Sequence, residues 1–203
     1  DDELADEPGT RARMLKTVGE VYDNLGEFER AAELLSRSVE ILKRTDPQSP
    51  ELPATLNQLA KARFNLGHVE EAKMLSEEAL ETANRTFPGD HEQTALALNN
   101  LGWLAYEESR LLEAEKYNRE ALEMRMRLYG DEHEAVAESL VNLGAVALEL
   151  KRIDEAADLY QRGYEMRRRV LGDDHPLTIS SAGNVLAALE AQHEYARGLE
   201  LID

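Results

Sequence analysis

The chain has 203 residues, of which 42% are hydrophobic and 32% charged, and its 41 acidic and 23 basic residues give a net charge of −18. That charge argues against a nucleic-acid partner, because a phosphate backbone is repelled by an acidic surface. The absence of cysteine excludes disulfides, zinc fingers and thiol catalysis. No apolar run reaches the roughly 18 residues of a membrane helix and no signal-peptide pattern begins the chain, so the cytoplasm is the default location.

The first nine residues differ from the rest of the chain. Five of the first eight are acidic, and they match nothing later in the sequence. We therefore predict that residues 1–9 form a solvated acidic linker.

A short motif then recurs along the chain. Residues 98–102 read LNNLG and residues 140–144 read LVNLG, which is a spacing of 42. Related copies occupy residues 15–19, 56–60 and, in degraded form, 182–186. Such self-similarity is the mark of a repeat protein.

Two further landmarks keep register with this motif. An alanine follows the small residue of the first four motifs by twelve positions, at Ala31, Ala72, Ala114 and Ala156. Acidic turns ending in histidine separate the later copies, at His91, His133 and His175. The landmarks predict a single array over 10–203, with repeats of about 10–50, 51–91, 92–133 and 134–175 and a partial fifth at 176–203. The fifth repeat is expected to turn at the usual place and to stop early in its second helix.

Each repeat reads as two helices. Apolar and small residues follow the i, i+3, i+4, i+7 spacing of a helix face, and breaks fall at Gly26, 67–68, 109–110 and 151–152. No segment alternates with period two, so no sheet is expected. The small residues Gly102 and Ala114 are predicted to be buried where paired helices approach closely. One helix pair cannot bury its apolar residues alone, so successive pairs are expected to stack.

The pattern of small and large residues around Gly102, Ala114 and Ala121 resembles that of the tetratricopeptide repeat family. The 42-residue period, eight longer than usual, is similar to kinesin light chain repeats and to repeats of bacterial signalling proteins. The resemblance implies an all-α fold, a right-handed superhelical solenoid of antiparallel helix pairs. A HEAT or armadillo array has a similar period but does not place these small residues twelve apart.

The resemblance also implies a binding site, because first helices line the concave groove in that family. Carried over to this sequence, the candidate groove residues are Lys16, Asn57, Lys61, Asn99, Asn100, Trp103, Tyr106 and Asn142. Asparagine suits a peptide backbone because its amide both donates and accepts. The alternative is that the recurrent asparagines are structural and bond neighbouring helices. The lysines predict a positive N-terminal end of the groove, and Glu138 and Glu149 a negative C-terminal end.

No enzyme signature is present. Nucleophile-elbow, phosphate-loop and dinucleotide motifs are missing. The three turn histidines lie in different repeats, about a helix-packing distance of 8–10 Å apart, so they cannot share a metal ion whose ligands stand about 2 Å away. We expect helix-start roles for them and no cofactor or metal.

The sequence therefore predicts a non-catalytic scaffold that binds a peptide or helix of a partner protein in its groove. The net charge of −18 favours a basic segment. The alternative is a regulatory region of a larger signalling ATPase or caspase-like protease. An apolar face on the partial fifth repeat is a candidate for pairing between chains.

Overall fold

The computed structural model describes residues 7–200, with side chains described as far as Gln192, and all regular structure in this range is helical. The helices are α1 (Pro8–Asn24), α2 (Phe28–Thr45), α3 (Glu51–Asn65), α4 (Val69–Thr86), α5 (Glu92–Glu107), α6 (Leu111–Tyr129), α7 (Glu134–Glu149), α8 (Ile153–Leu171) and α9 (Pro176–Glu200). The chain divides within α5 into two compact units, Asp1–Leu104 and Ala105–Asp203. None of the helices in the described part combines the length and apolar composition needed to cross a bilayer.

The turns inside the repeats fall where the sequence predicts them. The turn that follows each of α1, α3, α5 and α7 contains a residue with positive φ. The values are 77° at Gly26, 78° at Gly67, 58° at Ser109 and 61° at Lys151. A left-handed residue at this place is a common way to end a helix. The predicted breaks are therefore confirmed, and two of the four are made without glycine.

Unit 1 is built on a single apolar core. Helix α1 packs on α2, α2 on α3 and α3 on α4. Leu35 and Leu56 are fully buried at its centre, beside the regularly spaced alanine Ala31. The small residue Gly19 lies directly against Leu35, since a Cβ placed on Gly19 would stand 2.9 Å from Leu35 Cγ. Close approach of α1 and α2 thus depends on the absence of a side chain at Gly19.

Unit 2 repeats this packing with an aromatic ring in place of leucine. Helices α7 and α8 form a pair in which Tyr160 of α8 lies on Gly144 of α7, and a Cβ on Gly144 would stand 2.7 Å from Tyr160 Cδ1. Gly163 approaches α7 in the same way, with Val141 Cγ2 2.8 Å from the place of its Cβ. Gly102, in unit 1, and Ala114, in unit 2, are each buried, whereas the close approach of paired helices at these residues stays a prediction.

Two buried arginines join consecutive repeats of unit 2. Arg125 of α6 donates from Nη1 to the carbonyl oxygen of Ala135 and to Ser139 Oγ, both at 2.8 Å. Arg167 of α8, at the equivalent position of the next repeat, donates from Nη1 to Ser181 Oγ at 2.8 Å. Each arginine therefore ties a second helix to the first helix of the next repeat.

The ends of the array differ from the prediction. Helix α1 begins at Pro8, inside the predicted linker, because proline is well suited to the first turn of a helix. The linker residues 1–6 lie outside the described part. The second helix expected to begin in the fifth repeat does not separate from the first, because α9 continues unbroken from Pro176 to Glu200.

Candidate partner-binding face

Successive first helices of unit 1 meet through side chains on one face. Lys16 Nζ of α1 lies 3.3 Å from Glu51 Oε2 of α3, and Lys61 Nζ of α3 lies 2.6 Å from Asp23 Oδ2 of α1. We call the surface formed by Lys16, Asp23, Lys61, Phe64 and Trp103 the first-helix face of unit 1. Both predicted groove lysines therefore make contacts between α1 and α3, the first helices of consecutive repeats.

An aromatic pair lies between α3 and α5 on this face. The rings of Phe64 and Trp103 are edge to face, with centroids 6.3 Å apart and an interplanar angle of 79°. Phe64 is half-buried, whereas 37% of Trp103 is exposed. An edge-to-face neighbour holds the indole in place without covering it. The indole of Trp103 is therefore held by Phe64 and remains partly accessible.

The lysines of the face are engaged in ion pairs. Lys16 Nζ also lies 3.5 Å from Glu20 Oε1 of its own helix. Lys61 pairs with Asp23, whose side chain is only 3% exposed, although 54% of the Lys61 side chain remains in solvent. Each lysine charge is balanced by a neighbouring carboxylate, so this end of the face does not carry the excess positive charge expected from the sequence.

Two of the predicted asparagines, Asn57 of α3 and Asn99 of α5, are buried. Asn57 is 1% exposed, and its Nδ2 donates to the carbonyl oxygen of Gln93 at 3.1 Å and to Gln93 Oε1 at 3.2 Å. Asn99 is 7% exposed, and Asn100 is half-buried. Asn57 therefore has a structural role, the alternative considered for the asparagines above. Its amide bridges α3 and α5 because these helices lie close together. We therefore leave Asn57 out of the surface available to a ligand.

The remaining candidates, Tyr106 and Asn142, belong to unit 2, where both are half-buried. Burial raises the pKa of the Tyr106 hydroxyl, and the Glu149 and Glu107 carboxylates raise it further. Burial also raises the pKa of Tyr160 to about 12, with Tyr106 and Glu149 adding to the effect. Both hydroxyls therefore stay protonated near neutral pH and are able to donate hydrogen bonds.

The turn histidines begin first helices. Nδ1 of His91 accepts from the backbone N–H of Gln93 at 3.2 Å, and Nδ1 of His133 from that of Ala135 at 3.1 Å. His175 caps α9 in the same way. Such a bond satisfies one of the free N–H groups of a helix start. Within the described residues, no three histidine, aspartate or glutamate side chains come together as a metal site.

Comparison with known proteins agrees with this architecture. The family model of the tetratricopeptide repeat matches residues 51–126 and 106–169, which together span more than half of the chain. The chain belongs to the tetratricopeptide repeat family. Its fold is accordingly the all-α, helix-pair repeat fold of that family, and tetratricopeptide repeats generally mediate protein–protein interaction. No curated protein sequence matched the chain.

Solved structures of other proteins share this fold. BtubC (BKLC) from P. vanneervenii superposes with a TM-score of 0.79 at 22% identity, covering 93% of this chain and 76% of that one. A putative kinesin light chain from Podosopora anserina with nearly identical TPR-like repeats superposes with a TM-score of 0.75 at 22% identity, covering 97% of this chain and 93% of that one. The predicted similarity to kinesin light chain repeats is confirmed at the level of fold.

Proposed function

We propose that the chain is a protein–protein interaction scaffold and that the first-helix face of unit 1 binds a peptide or helical segment of a partner protein. The observation that supports the proposal most directly is Trp103, a large aromatic side chain that is partly exposed and held by Phe64. Tryptophan is among the residues that most often dominate binding energy at interfaces. The fold is typically a non-catalytic scaffold, and the proposal includes no catalysis and no cofactor.

The chemistry of the face indicates the kind of segment that would bind. An apolar or aromatic side chain of the partner would pack on the indole of Trp103, with the partly exposed Lys61 and Asn100 beside it to contact the backbone. Because both lysines of the face are paired with carboxylates, we do not propose that an acidic residue is the main determinant. The net charge of −18 favours approach by a basic segment rather than by a nucleic acid or an anionic membrane.

The variant Trp103→Ala tests this function. We expect it to weaken binding of a partner segment about tenfold or more, because the anchor side chain is removed, while the fold is preserved because the indole lies at the surface. The measurement is isothermal titration of a partner segment identified by capture on the immobilised chain. The matched control is Met74→Ala, which removes an exposed apolar side chain (61% exposed) from second helix α4.

Equal affinity of the wild-type chain and Trp103→Ala would exclude the first-helix face of unit 1 as the binding site. A loss of affinity with Met74→Ala but not with Trp103→Ala would place the site on second helices instead. The alternative function, regulation within a larger signalling or protease protein, stays a prediction from the family resemblance.

A further inference from the structure

A buried carboxylate lies near the end of α1, where the other repeats have an apolar or aromatic residue. The side chain of Asp23 is only 3% exposed. The equivalent positions of the next three repeats carry Phe64, Tyr106 and Leu148. The end of α1 is also the negative end of the helix dipole, and its last turn contains no basic residue. Neither the packing nor the local electrostatics of α1 therefore accounts for a carboxylate at this position.

The carboxylate of Asp23 has a donor on only one of its oxygens. Lys61 Nζ donates to Oδ2 at 2.6 Å. Oδ1 is buried and accepts no hydrogen bond from any group in the described part of the chain. A buried acceptor without a donor is uncommon in folded proteins and is unfavourable on a charged group. The pair with Lys61 therefore leaves half of the carboxylate unsatisfied.

The two members of this pair differ in how firmly they are held. Asp23 is enclosed by the fold, whereas 54% of the Lys61 side chain is exposed. A lysine ammonium is a strongly hydrated point charge on a flexible four-carbon stem. Lys61 is therefore able to leave the carboxylate for solvent without any change in the helices.

The arginines close to this pair in the sequence contact other groups. Arg63 Nε lies 3.2 Å from Glu71 Oε2. The guanidinium carbon of Arg30 lies 5.5 Å from the centre of the Tyr22 ring. Neither arginine is bonded to Oδ1 of Asp23, so a donor for this oxygen has to come from outside the described part of the chain.

A guanidinium group fits this carboxylate better than the ammonium that now contacts it. The planar fork of an arginine donates two parallel N–H bonds, one to each oxygen of a carboxylate. An incoming arginine would thus replace Lys61 at Oδ2 and satisfy Oδ1 at the same time. The net charge of −18 also attracts a basic segment over a distance. An arginine side chain is therefore the ligand that the unsatisfied carboxylate selects.

The carboxylate lies within reach of a segment that packs on Trp103. Lys61 and Trp103 occupy equivalent positions of α3 and α5, and these helices are adjacent, since Asn57 bonds to Gln93 across them. Packed helices stand about 8–10 Å apart, a distance that an extended segment spans in about three residues. One short segment is therefore long enough to contact both the indole and the pair beside Lys61.

We propose that Asp23 binds an arginine side chain of the partner segment and that Lys61 occupies its place until the segment arrives. The proposal rests on the proposed function, because the arginine belongs to the segment that packs on Trp103, and it adds the charged determinant of that segment. On binding, the guanidinium takes both oxygens of Asp23. The ammonium of Lys61 moves into solvent, where it is free to donate to a backbone carbonyl of the segment.

The selectivity of the carboxylate is tested without a partner protein. N-acetylarginine amide is titrated into the whole chain while the side-chain carboxylate ¹³C signal of Asp23, assigned by its loss in Asp23→Leu, is recorded. We expect saturable movement at a concentration about fivefold lower than for N-acetyllysine amide, because only the fork uses both oxygens. The uncharged N-acetylcitrulline amide should have no effect. An unmoved signal, as when water alone serves Oδ1, or equal responses to arginine and lysine would overturn the proposal.

The competing role of Lys61 has a matched control. Lys61→Ala removes the competitor, so the arginine amide should then saturate the Asp23 signal at a lower concentration. Lys43→Ala removes the same charge from second helix α2 of unit 1, where Lys43 Nζ also lies 2.6 Å from a carboxylate oxygen, that of Glu78. This control should leave the titration unchanged. The same gain with both variants would show a general effect of net charge and contradict a competing lysine.

Two variants separate this inference from the proposed function when the captured partner segment is titrated calorimetrically. Asp23→Leu, which introduces the residue found at the equivalent Leu148, should keep the urea midpoint of the wild-type chain or raise it, yet weaken binding about tenfold or more. Lys61→Arg should also weaken binding, because it supplies both oxygens from within the chain, and an exposed substitution of this kind preserves the fold.

The pattern of losses decides between the two claims. Affinity that falls with Trp103→Ala but not with Asp23→Leu or Lys61→Arg overturns the arginine site and leaves the proposed function intact. Affinity that falls with Asp23→Leu and Lys61→Arg but not with Trp103→Ala supports the arginine site and removes the indole from the proposed function.

Discussion

Arg167→Ala is expected to lower the free energy of unfolding by about 2–3 kcal/mol. The Arg167 side chain is 7% exposed and makes two contacts with the Glu134 carboxylate, from Nη2 to Oε1 at 3.1 Å and from Nε to Oε2 at 3.2 Å. Its Nη1 reaches Ser181 Oγ in the next repeat. Removing one partner of a fully buried pair costs roughly 3–5 kcal/mol. The expected loss is smaller because Glu134 is 29% exposed and water replaces part of the interaction.

Urea denaturation measures this effect, by comparing the free energy of unfolding of Arg167→Ala with that of the control variant Arg168→Ala. Arg168 is the next residue along α8, but it is 54% exposed and pairs only at the surface with Asp173, at 3.4 Å. Surface pairs contribute about 0–1 kcal/mol, so this control should lie close to the wild-type chain. Equal stability of the two variants would show that the buried arginine does not hold α8 and α9 together.

Gly144→Leu is expected to destabilise unit 2 by about 3 kcal/mol, near the upper end for overpacked cores. The Cα of Gly144 supports the ring of Tyr160, and even a single added carbon atom would stand 2.7 Å from that ring. Tyr160 is 5% exposed and belongs to the core of α7 and α8. The ring has little space into which it could move, so the helix pair must separate.

The same substitution at Gly9 is the control for this prediction. Gly9 lies in α1, and a Cβ at that position would meet no atom within 4 Å. Gly9→Leu should therefore be close to neutral in thermal or urea denaturation. If the Gly144→Leu variant had the same melting temperature and urea midpoint as the wild-type chain, α7 and α8 would not approach each other through this glycine.

The helices and their turns could be predicted from the sequence because they depend on local patterns. Three landmarks recur in register from one repeat to the next. Each of them indicates either a position where a helix needs a small side chain or a position where a helix ends. The repetition identifies Ser109 and Lys151 as turn residues, although neither is a glycine, because they occupy the place that Gly67 occupies in the second repeat. The cap made by the turn histidines was foreseen for the same reason.

Contacts between repeats were harder to foresee, because the partners are far apart in sequence and side-chain direction decides them. Asn57 was expected on the surface, but α3 and α5 are close enough for its amide to reach Gln93, 36 residues away. The pairing of Lys61 with Asp23 cancels a charge that the sequence suggested was available. One signal was overlooked: the pair Arg125 and Ser139 recurs one repeat later as Arg167 and Ser181.

The partial fifth repeat was predicted to turn at the usual place, and the structure has one long helix instead. The sequence carries a reason for this difference. A second helix needs small residues beneath it, as at Gly144, whereas α9 has Leu186 at that position. The motif is degraded at residues 182–186, which is the one sign in the sequence that this repeat departs from the others.

The central claim is that a partner segment contacts Trp103, and the emission of this residue tests it most directly, because Trp103 is the only tryptophan of the chain. A tryptophan-free segment of a captured partner is titrated into the wild-type chain while the emission and its quenching by iodide are recorded. The account predicts a shift of the emission to shorter wavelength and weaker quenching, since an indole that is 37% exposed becomes covered. Saturated binding with unchanged emission and unchanged quenching would contradict it.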